Sequence, residues 1–556
     1  MDPKPWYSSY VPGVPEAIDY EKMTVSASLS RSARQFPDAP ALIFMGKKIS
    51  FSELDALVNG FARALMGLGI NKGDKVAMIL PNIPQVVIAN MATLRIGAVV
   101  VMNNPLYTEH ELAQQLDDSD SRIALTIGPL VPRVLSAMPE TKLEKVVACN
   151  INDYLPFPKK QLFPYLMKAM YKRIETSDRV LDFMTLMKSN PPDPVEDRGE
   201  WEELSTLLYT GGTTGVSKGV MLSHRNISSN VQQFHAWFPD LNDGEVSLIG
   251  TFPIFHSAGY TAMQNAPVWG AWTHIMIPRP EPKTMIELLK KHRPQFLPGV
   301  PAIFVGLLAT PEFREMDLSF IKGFFSGAAP LAIDTIKDLH DLTGANMVEV
   351  YGMTETTPIA SAHPYGGLVK PGTVGIPMPD TDIKVVDAET GASEMPVGEV
   401  GEIIISGPQV MMGYYKKPDE TAAILRDGWI FTGDLGFMDE DGYISVVDRK
   451  KDMVISSGFN VYPVEVDDVL FSHPKVLEAC TIGVPDSYRG ESLKAFVVLK
   501  EGETATEEEI IEFTRENLAA YKVPKSVEFI DELPKTAVGK ILRRELRDME
   551  LSKTDK

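Results

Sequence analysis

The chain has 556 residues, 44% apolar and 23% charged, which excludes a low-complexity or disordered polypeptide. Its 74 acidic residues outnumber 54 basic ones, and the net charge of −20 is the opposite of a general nucleic-acid binder's. The 2 cysteines, Cys149 and Cys480, exclude a disulfide framework and a four-sulfur zinc site.

The first residues carry no basic segment followed by an apolar run, so no secretory signal is expected. Ser50 and Glu53 have capping-box spacing and open a predicted helix with Leu54, Leu57, Val58, Phe61 and Leu65 on one face. The most apolar stretch, Val76 to Met102, is broken by Pro81, Asn82, Pro84, Gln85, Asn90 and Arg95. It reads as buried strand, loop and helix, with strands predicted at Lys75–Leu80 and Gly97–Val101, and not as a membrane span. This β/α alternation predicts an α/β core of mainly parallel strands. It lapses between Asn150 and Pro194 and resumes through Met347. Between Gly372 and Asp448 the chain turns β- and Gly-rich, which predicts an antiparallel or barrel-like subdomain. A charged knot, Val446 to Met453, precedes a tail with its own helix, Thr506–Leu518, opened by a Thr506/Glu509 capping box, and a strand, AFVVL. That tail reads as a small α+β domain on a hinge.

The most informative segment is LLYTGGTTGVSKGVMLSHRN, Leu207 to Asn226. A short apolar run leads into Thr210, Gly211, Gly212, Thr213, Thr214, Gly215 and, two residues on, Ser217 and Lys218. Glycines let backbone N–H groups curl around an anion, threonines add hydroxyl donors and Lys218 adds a positive charge, a set that suits a polyphosphate. A Walker loop requires Gly directly before the Lys, where Ser217 stands. Gly215 to Gly219 also matches the G-x-S-x-G elbow of serine hydrolases, which leaves the TGGTT run unexplained.

This loop resembles the phosphate loop of the adenylate-forming superfamily, which includes acyl-CoA synthetases, peptide-synthetase adenylation domains and beetle luciferases. Further motifs follow in that family's order over nearly the whole chain. The TGGTTG variant and the segment NNPLYTEHEL, Asn103 to Leu112, are most similar to bacterial long-chain fatty-acid CoA ligases. The resemblance implies a large N-terminal AMP-binding domain, residues 1–449, of parallel α/β subdomains plus a β-rich subdomain, and a small mobile α+β C-terminal domain, residues 450–556.

It also implies roles for particular residues. In PIFHSAG, His256 lies near the substrate carboxylate, and Tyr260 falls where some members have an aromatic gate. FFSGAAPL, with Gly327 and Ala328, lines the adenine and acyl pockets. In VEVYGMTETTP, Tyr351 stacks on adenine beside Gly352, Thr354 contacts the α-phosphate and Glu355 ligates Mg²⁺. Asp434 of WIFTGDLG binds the ribose hydroxyls together with Arg449. Lys451 is the hinge pivot, where other members have Asp, and Gly458 centres the loop that lines the pantetheine tunnel. Lys540, before a helix marked by Ile541, Leu542, Leu546 and Met549, is the adenylation lysine. The implied activity is ATP- and Mg²⁺-dependent ligation of a medium- to long-chain fatty acid to coenzyme A through an acyl-adenylate. An aryl- or short-chain acid ligase, an acyl-AMP ligase without CoA use, a luciferase-like oxygenase and a non-enzymatic binding protein stand as alternatives.

One segment lies outside these motifs. In FPKKQLFPYLMKAMYKRIE, from Phe157, the residues Phe163, Leu166, Met167, Met170, Tyr171 and Ile174 recur at helix spacing among Lys159, Lys160, Lys168, Lys172 and Arg173. Two readings stand open: a helix packing its stripe on the core, and a basic amphipathic helix at an anionic membrane surface. A cytoplasmic protein is expected, with peripheral contact at a membrane's inner face through 157–175; the resemblance leaves room for a homodimer.

Overall fold

The computed structural model describes residues 4–210, 217–327, 331–456, 459–486, 490–536 and 539–554. Two large sheets carry the N-terminal part. In the first, of eight strands, Lys75–Ile79 lies between Val99–Met102 and Ser121–Ile127, parallel to both. Strands covered on both faces read as continuous apolar runs, hence the unbroken KVAMIL and GAVVV. The helix Pro84–Arg95 between them is buried along its whole length. Its one charged residue is paired inside the protein: Arg95 donates to Asn59 and meets Asp55 at 2.8 Å. The helix Phe51–Gly67 begins with the complete Ser50/Glu53 capping box.

The second sheet has nine strands. Its parallel centre includes Phe296–Gly299, Gly323–Ser326 and Asn346–Tyr351, and antiparallel strands close both edges. Between Asp382 and Arg449 a five-stranded antiparallel sheet forms, as the Gly-rich composition predicts. The C-terminal part has its own five-stranded sheet, flanked by Pro463–Phe471, Glu507–Asn517 and Arg543–Thr554. A separate core centred on Val454, Val466, Leu470, Ala495 and Ile510 holds it together. The chain is thus α/β, with a large N-terminal and a smaller C-terminal domain.

Three predicted elements differ. The Thr506 hydroxyl accepts from the Glu509 N–H, but the Glu509 carboxylate pairs with Lys475 at 2.7 Å instead of returning to the cap, so half of that box forms. The last helix starts at Arg543; Leu546 is buried, but Met549 faces solvent. The basic segment forms no single helix. Lys159–Leu166 is helical around Pro164, which has no amide N–H to donate, and Lys168–Met170 is only a short tight turn. Of the proposed stripe Phe163 alone is buried, so the core-packing reading fails for Leu166, Met167 and Met170, which are exposed. No helix among the described residues is long and apolar enough to cross a membrane.

Candidate active site

The site gathers where strands of both sheets end. Leu204–Thr210 and Lys218–Ser223 are antiparallel neighbours with Thr210 opposite Lys218, which brings the two ends of the glycine–threonine loop together. Gly211, Gly212, Thr213, Thr214 and Gly215 lie outside the described residues. Ser217 Oγ donates to the Thr210 carbonyl at 3.0 Å and accepts from Gln115 Nε2 at 3.1 Å. Neither partner is a base of the kind that activates a serine; the pair of bonds ties Gln115 to the end of the strand Leu204–Thr210.

Tyr351 ends the strand Asn346–Tyr351, and its hydroxyl donates to Asp434 Oδ2 at 2.8 Å. Asp434 sits opposite Arg449 in the antiparallel sheet, with Arg449 Nε 3.1 Å from Oδ1. Three residues from three separate strands therefore form one polar row, the first link a hydrogen bond and the second an ion pair. Gly352 is required by close approach: a Cβ there would lie 1.8 Å from the Pro358 carbonyl oxygen. Gly327, at the end of Gly323–Ser326, backs onto Val350, and Ala328 lies outside the described residues.

Thr354 and Glu355 follow on a single tight turn, Thr354–Thr356. Thr354 Oγ1 lies 3.2 Å from Ser257 Oγ. Glu355 is 5% exposed, and Tyr414 Oη donates to its Oε1 at 2.6 Å. Burial raises the Glu355 pKa, while the Tyr414 hydrogen bond and the charges of Arg449 and Lys218 oppose the rise. The Lys218 ammonium lies 4.8 Å from the centre of the Tyr414 ring. Tyr414 therefore joins the phosphate-loop lysine to the buried carboxylate. It belongs to none of the sequence motifs, and its only signal there is that a tyrosine, once buried, needs a partner for its hydroxyl. Ser257 lies in PIFHSAG, but its contact with Thr354 has no signal in the sequence.

Half-buried His256 accepts the Ala258 N–H at Nδ1. Burial, then the nearby charge of Lys540, lower its pKa to about 4, so it is neutral at pH 7. Tyr260 is fully buried, its hydroxyl 2.9 Å from Thr206 Oγ1. Lys540 reaches the site from the small domain. Its ammonium keeps a solvent path but is crowded by protein. Lost hydration, then the positive charge of Arg449, push its pKa down to about 8, against the pull of Asp434. The helix behind it is tied into the small domain by Arg547 to Asp452 at 2.6 Å and by Arg543 to Asp467 at 2.6 Å, and Arg543 also lies 3.7 Å from Asp448 of the large one. Lys451 follows Arg449 at this junction and faces solvent; Gly458 lies outside the described residues.

A single buried carboxylate beside a phosphate loop fits Mg²⁺, which takes most of its ligands from phosphates and water. No cluster of three metal-binding side chains occurs among the described residues, so a cation here would be held jointly by Glu355 and a nucleotide.

The strand ends that hold Thr210 and Lys218, the buried Glu355 and the row of Tyr351, Asp434 and Arg449 form the arrangement expected of a nucleotide-binding, adenylate-forming enzyme. The chain matches the AMP-binding enzyme family over residues 29–415 and the AMP-binding enzyme C-terminal domain over 465–540, and it belongs to that family of enzymes. It is 42% identical over 550 residues to a long-chain-fatty-acid–CoA ligase of Bacillus subtilis, covering 98% of each chain. ATP-bound MatB from Rhodopseudomonas palustris superposes with a TM-score of 0.83 at 32% identity, over 95% of this chain and 99% of that one. Apo MatB, with the same identity and coverage, gives 0.71.

Proposed function

We propose that the chain is an AMP-forming fatty acid–CoA ligase acting on medium- to long-chain acids, with its domains meeting at residues 449 and 450. The observation that carries this is the set of contacts from Tyr351 to Asp434 and from Asp434 to Arg449 near the buried Glu355, on a chain that matches both the AMP-binding enzyme family and its C-terminal domain. The name of the Bacillus subtilis relative supports the long-chain preference over an aryl or short-chain acid.

In the first step an acid carboxylate oxygen attacks the α-phosphorus of ATP; the new O–P bond forms as the bond to the β-phosphate breaks, and pyrophosphate leaves. The loop from Thr210 to Lys218 cradles the phosphates, Tyr351 packs on the adenine, and Asp434, braced by Arg449, accepts from ribose hydroxyls. Thr354 and Lys540 donate to the reacting anions. The Lys540 ammonium offsets their mutual repulsion, an electrostatic contribution of the kind that dominates many enzymes. Neutral His256 adds hydrogen bonding to the acid without a second positive charge. Mg²⁺ held by Glu355 would neutralise charge on the departing pyrophosphate. In the second step the small domain pivots at Lys451, withdraws Lys540 and presents the loop around Gly458. The CoA sulfur then attacks the acyl carbon, the carbon–oxygen bond to phosphate breaks, and AMP leaves. We place this chemistry in the cytoplasm at the inner face of a membrane, since long-chain acids partition into lipid.

Tyr414→Phe keeps the ring under Lys218 and deletes the hydroxyl on Glu355. Losing a hydrogen bond to a charged group should weaken half-saturation by Mg²⁺-ATP on the order of 10-fold. Acid-dependent initial rates across a magnesium titration measure this. The function itself is tested by pyrophosphate release across acids from acetate through palmitate to benzoate, with and without CoA. CoA-dependent turnover peaking on medium or long chains is expected. Acid-dependent release indifferent to CoA would replace the reading with an acyl-AMP ligase, and a benzoate optimum with an aryl ligase.

A further inference from the structure

One buried carboxylate beside the nucleotide row has no role in the chemistry above. Glu402 is 6% exposed and sits opposite Leu435 in the antiparallel sheet. It accepts the Gly433 N–H at 3.2 Å, and Lys450 Nζ lies 3.0 Å from its Oε2. The Lys450 N–H in turn donates to the Gly433 carbonyl at 2.9 Å. Carboxylate, glycine and lysine thus close a ring. Gly433 joins it through both backbone groups at a φ of +70°, a conformation that costs glycine little.

The neighbours of this ring in the chain are the residues that matter for the reaction. Gly433 precedes Asp434 and Lys450 follows Arg449, so the ring abuts the Asp434–Arg449 pair on both strands. Lys450 also precedes Lys451. It is held to the sheet of the large domain twice, by its side chain and by its backbone. On the far side of Lys451, buried Asp452 pairs with Arg547 of the helix Arg543–Thr554 at 2.6 Å, within the small domain. Backbone bonds from Asp452 and Met453 to the Arg449 carbonyl close the turn, and Lys451 itself makes no hydrogen bond among the described residues. A chain anchored on both sides of one residue concentrates its change in φ and ψ there. A cavity of about 290 Å³, lined in part by Glu402, Phe431, Gly433 and Lys450, lies behind the ring. Lys450 therefore has room to swing, and the ion pair rather than close packing holds it. With one partner buried, solvent screens this pair less than a surface one.

We propose that Glu402 is a positioning residue: acting through Lys450, it fixes the large-domain end of the hinge and confines the turn between the domains to Lys451. The pivot rests on the two-step reading above, whereas the clamp rests on the ring. Both native cysteines are buried, so spin labels can be placed selectively at exposed positions, Lys283→Cys in the large domain and Glu516→Cys in the small one. They report the distance between the domains without any acid. With Mg²⁺-ATP the otherwise wild-type protein should give one narrow distance distribution. Glu402→Gln keeps an acceptor for the Gly433 N–H but no charge for Lys450, and should broaden it. Lys450→Met should do the same, and Lys450→Arg, which keeps the ion pair, should restore it. Lys450→Met alone strands a buried charge and should melt lowest, so Glu402→Gln separates lost positioning from a weakened fold. Single-turnover adenylation should fall on the order of 10-fold in both, because a group carried by the small domain is misplaced. Half-saturation by Mg²⁺-ATP should hold. The double variant should lose no more than either single, since two residues acting through one contact are not additive. A double loss equal to the product of the single losses overturns the inference, because the residues would then act separately. So does a distribution that stays narrow in both single variants. If it broadens as expected while no acid supports pyrophosphate release even in the wild type, the clamp stands and the ligase reading falls.

Discussion

Lys540→Ala is expected to slow acyl-adenylate formation by about 100-fold or more, the range for removing one donor aimed at transition-state charge. The same variant should keep thioester formation from preformed acyl-adenylate and CoA, because the small domain turns Lys540 away for that step. Single-turnover assays of each half-reaction separate the two outcomes; equal damage to both would sink the two-state assignment. The wild type carries a second signature. With the Lys540 pKa at about 8, the ammonium is present below that pH and is lost as pH rises through it. The kcat/KM of adenylation, which reports the free enzyme, should therefore fall above about pH 8. Lys540→Arg keeps its charge at these pH values, so the alkaline limb should vanish even if the longer side chain lowers the plateau. A limb that persists in Lys540→Arg would assign the titration to another group.

The parts of this protein written locally were legible in the sequence. The runs at Lys75 and Val99 are continuous because their strands are covered on both faces, and the Ser50/Glu53 box is complete because both partners lie within one turn. Long-range partners were not legible. Thr506 and Glu509 have the same spacing as Ser50 and Glu53, but Lys475, distant in sequence, captures the Glu509 carboxylate. In the site, Tyr351, Asp434 and Arg449 could be named singly from their motifs, whereas their polar row depends on strand register. Tyr414 escaped because its meaning lies wholly in what it touches: a carboxylate 59 positions earlier and a lysine ammonium under its ring. The basic segment failed for a local reason. Its helical spacing is real, but Pro164 lies inside it, and spacing alone does not register a missing amide. Leu166, Met167 and Met170 then turn to solvent, which converts a folding signal into a surface one.

Glu355→Gln is expected to lose activity while gaining stability. The carboxylate is 5% exposed, and burial raises its pKa, so the folded state holds that proton more tightly than the unfolded chain. For such a group the stabilising contribution is present at low pH and is lost as pH rises through the raised pKa. A charge on this carboxylate is therefore a burden on the unliganded fold. Gln keeps an oxygen for the Tyr414 hydroxyl without the charge, so the melting temperature of the unliganded variant should exceed that of the wild type. Mg²⁺-ATP should reverse the order, because a ligand bound by the native state alone stabilises it and the variant has lost the charge that holds the cation. Adenylation should fall by about 100-fold or more, since the cation's contribution to charge stabilisation is worth several kcal/mol. Melting curves with and without Mg²⁺-ATP, read beside the rate, make the test sharp. A variant equally stabilised by Mg²⁺-ATP would show that the cation is held elsewhere. A variant less stable than the wild type without nucleotide would show that the Glu355 charge is balanced within the protein, leaving the site less dependent on the nucleotide's cation than its burial implies.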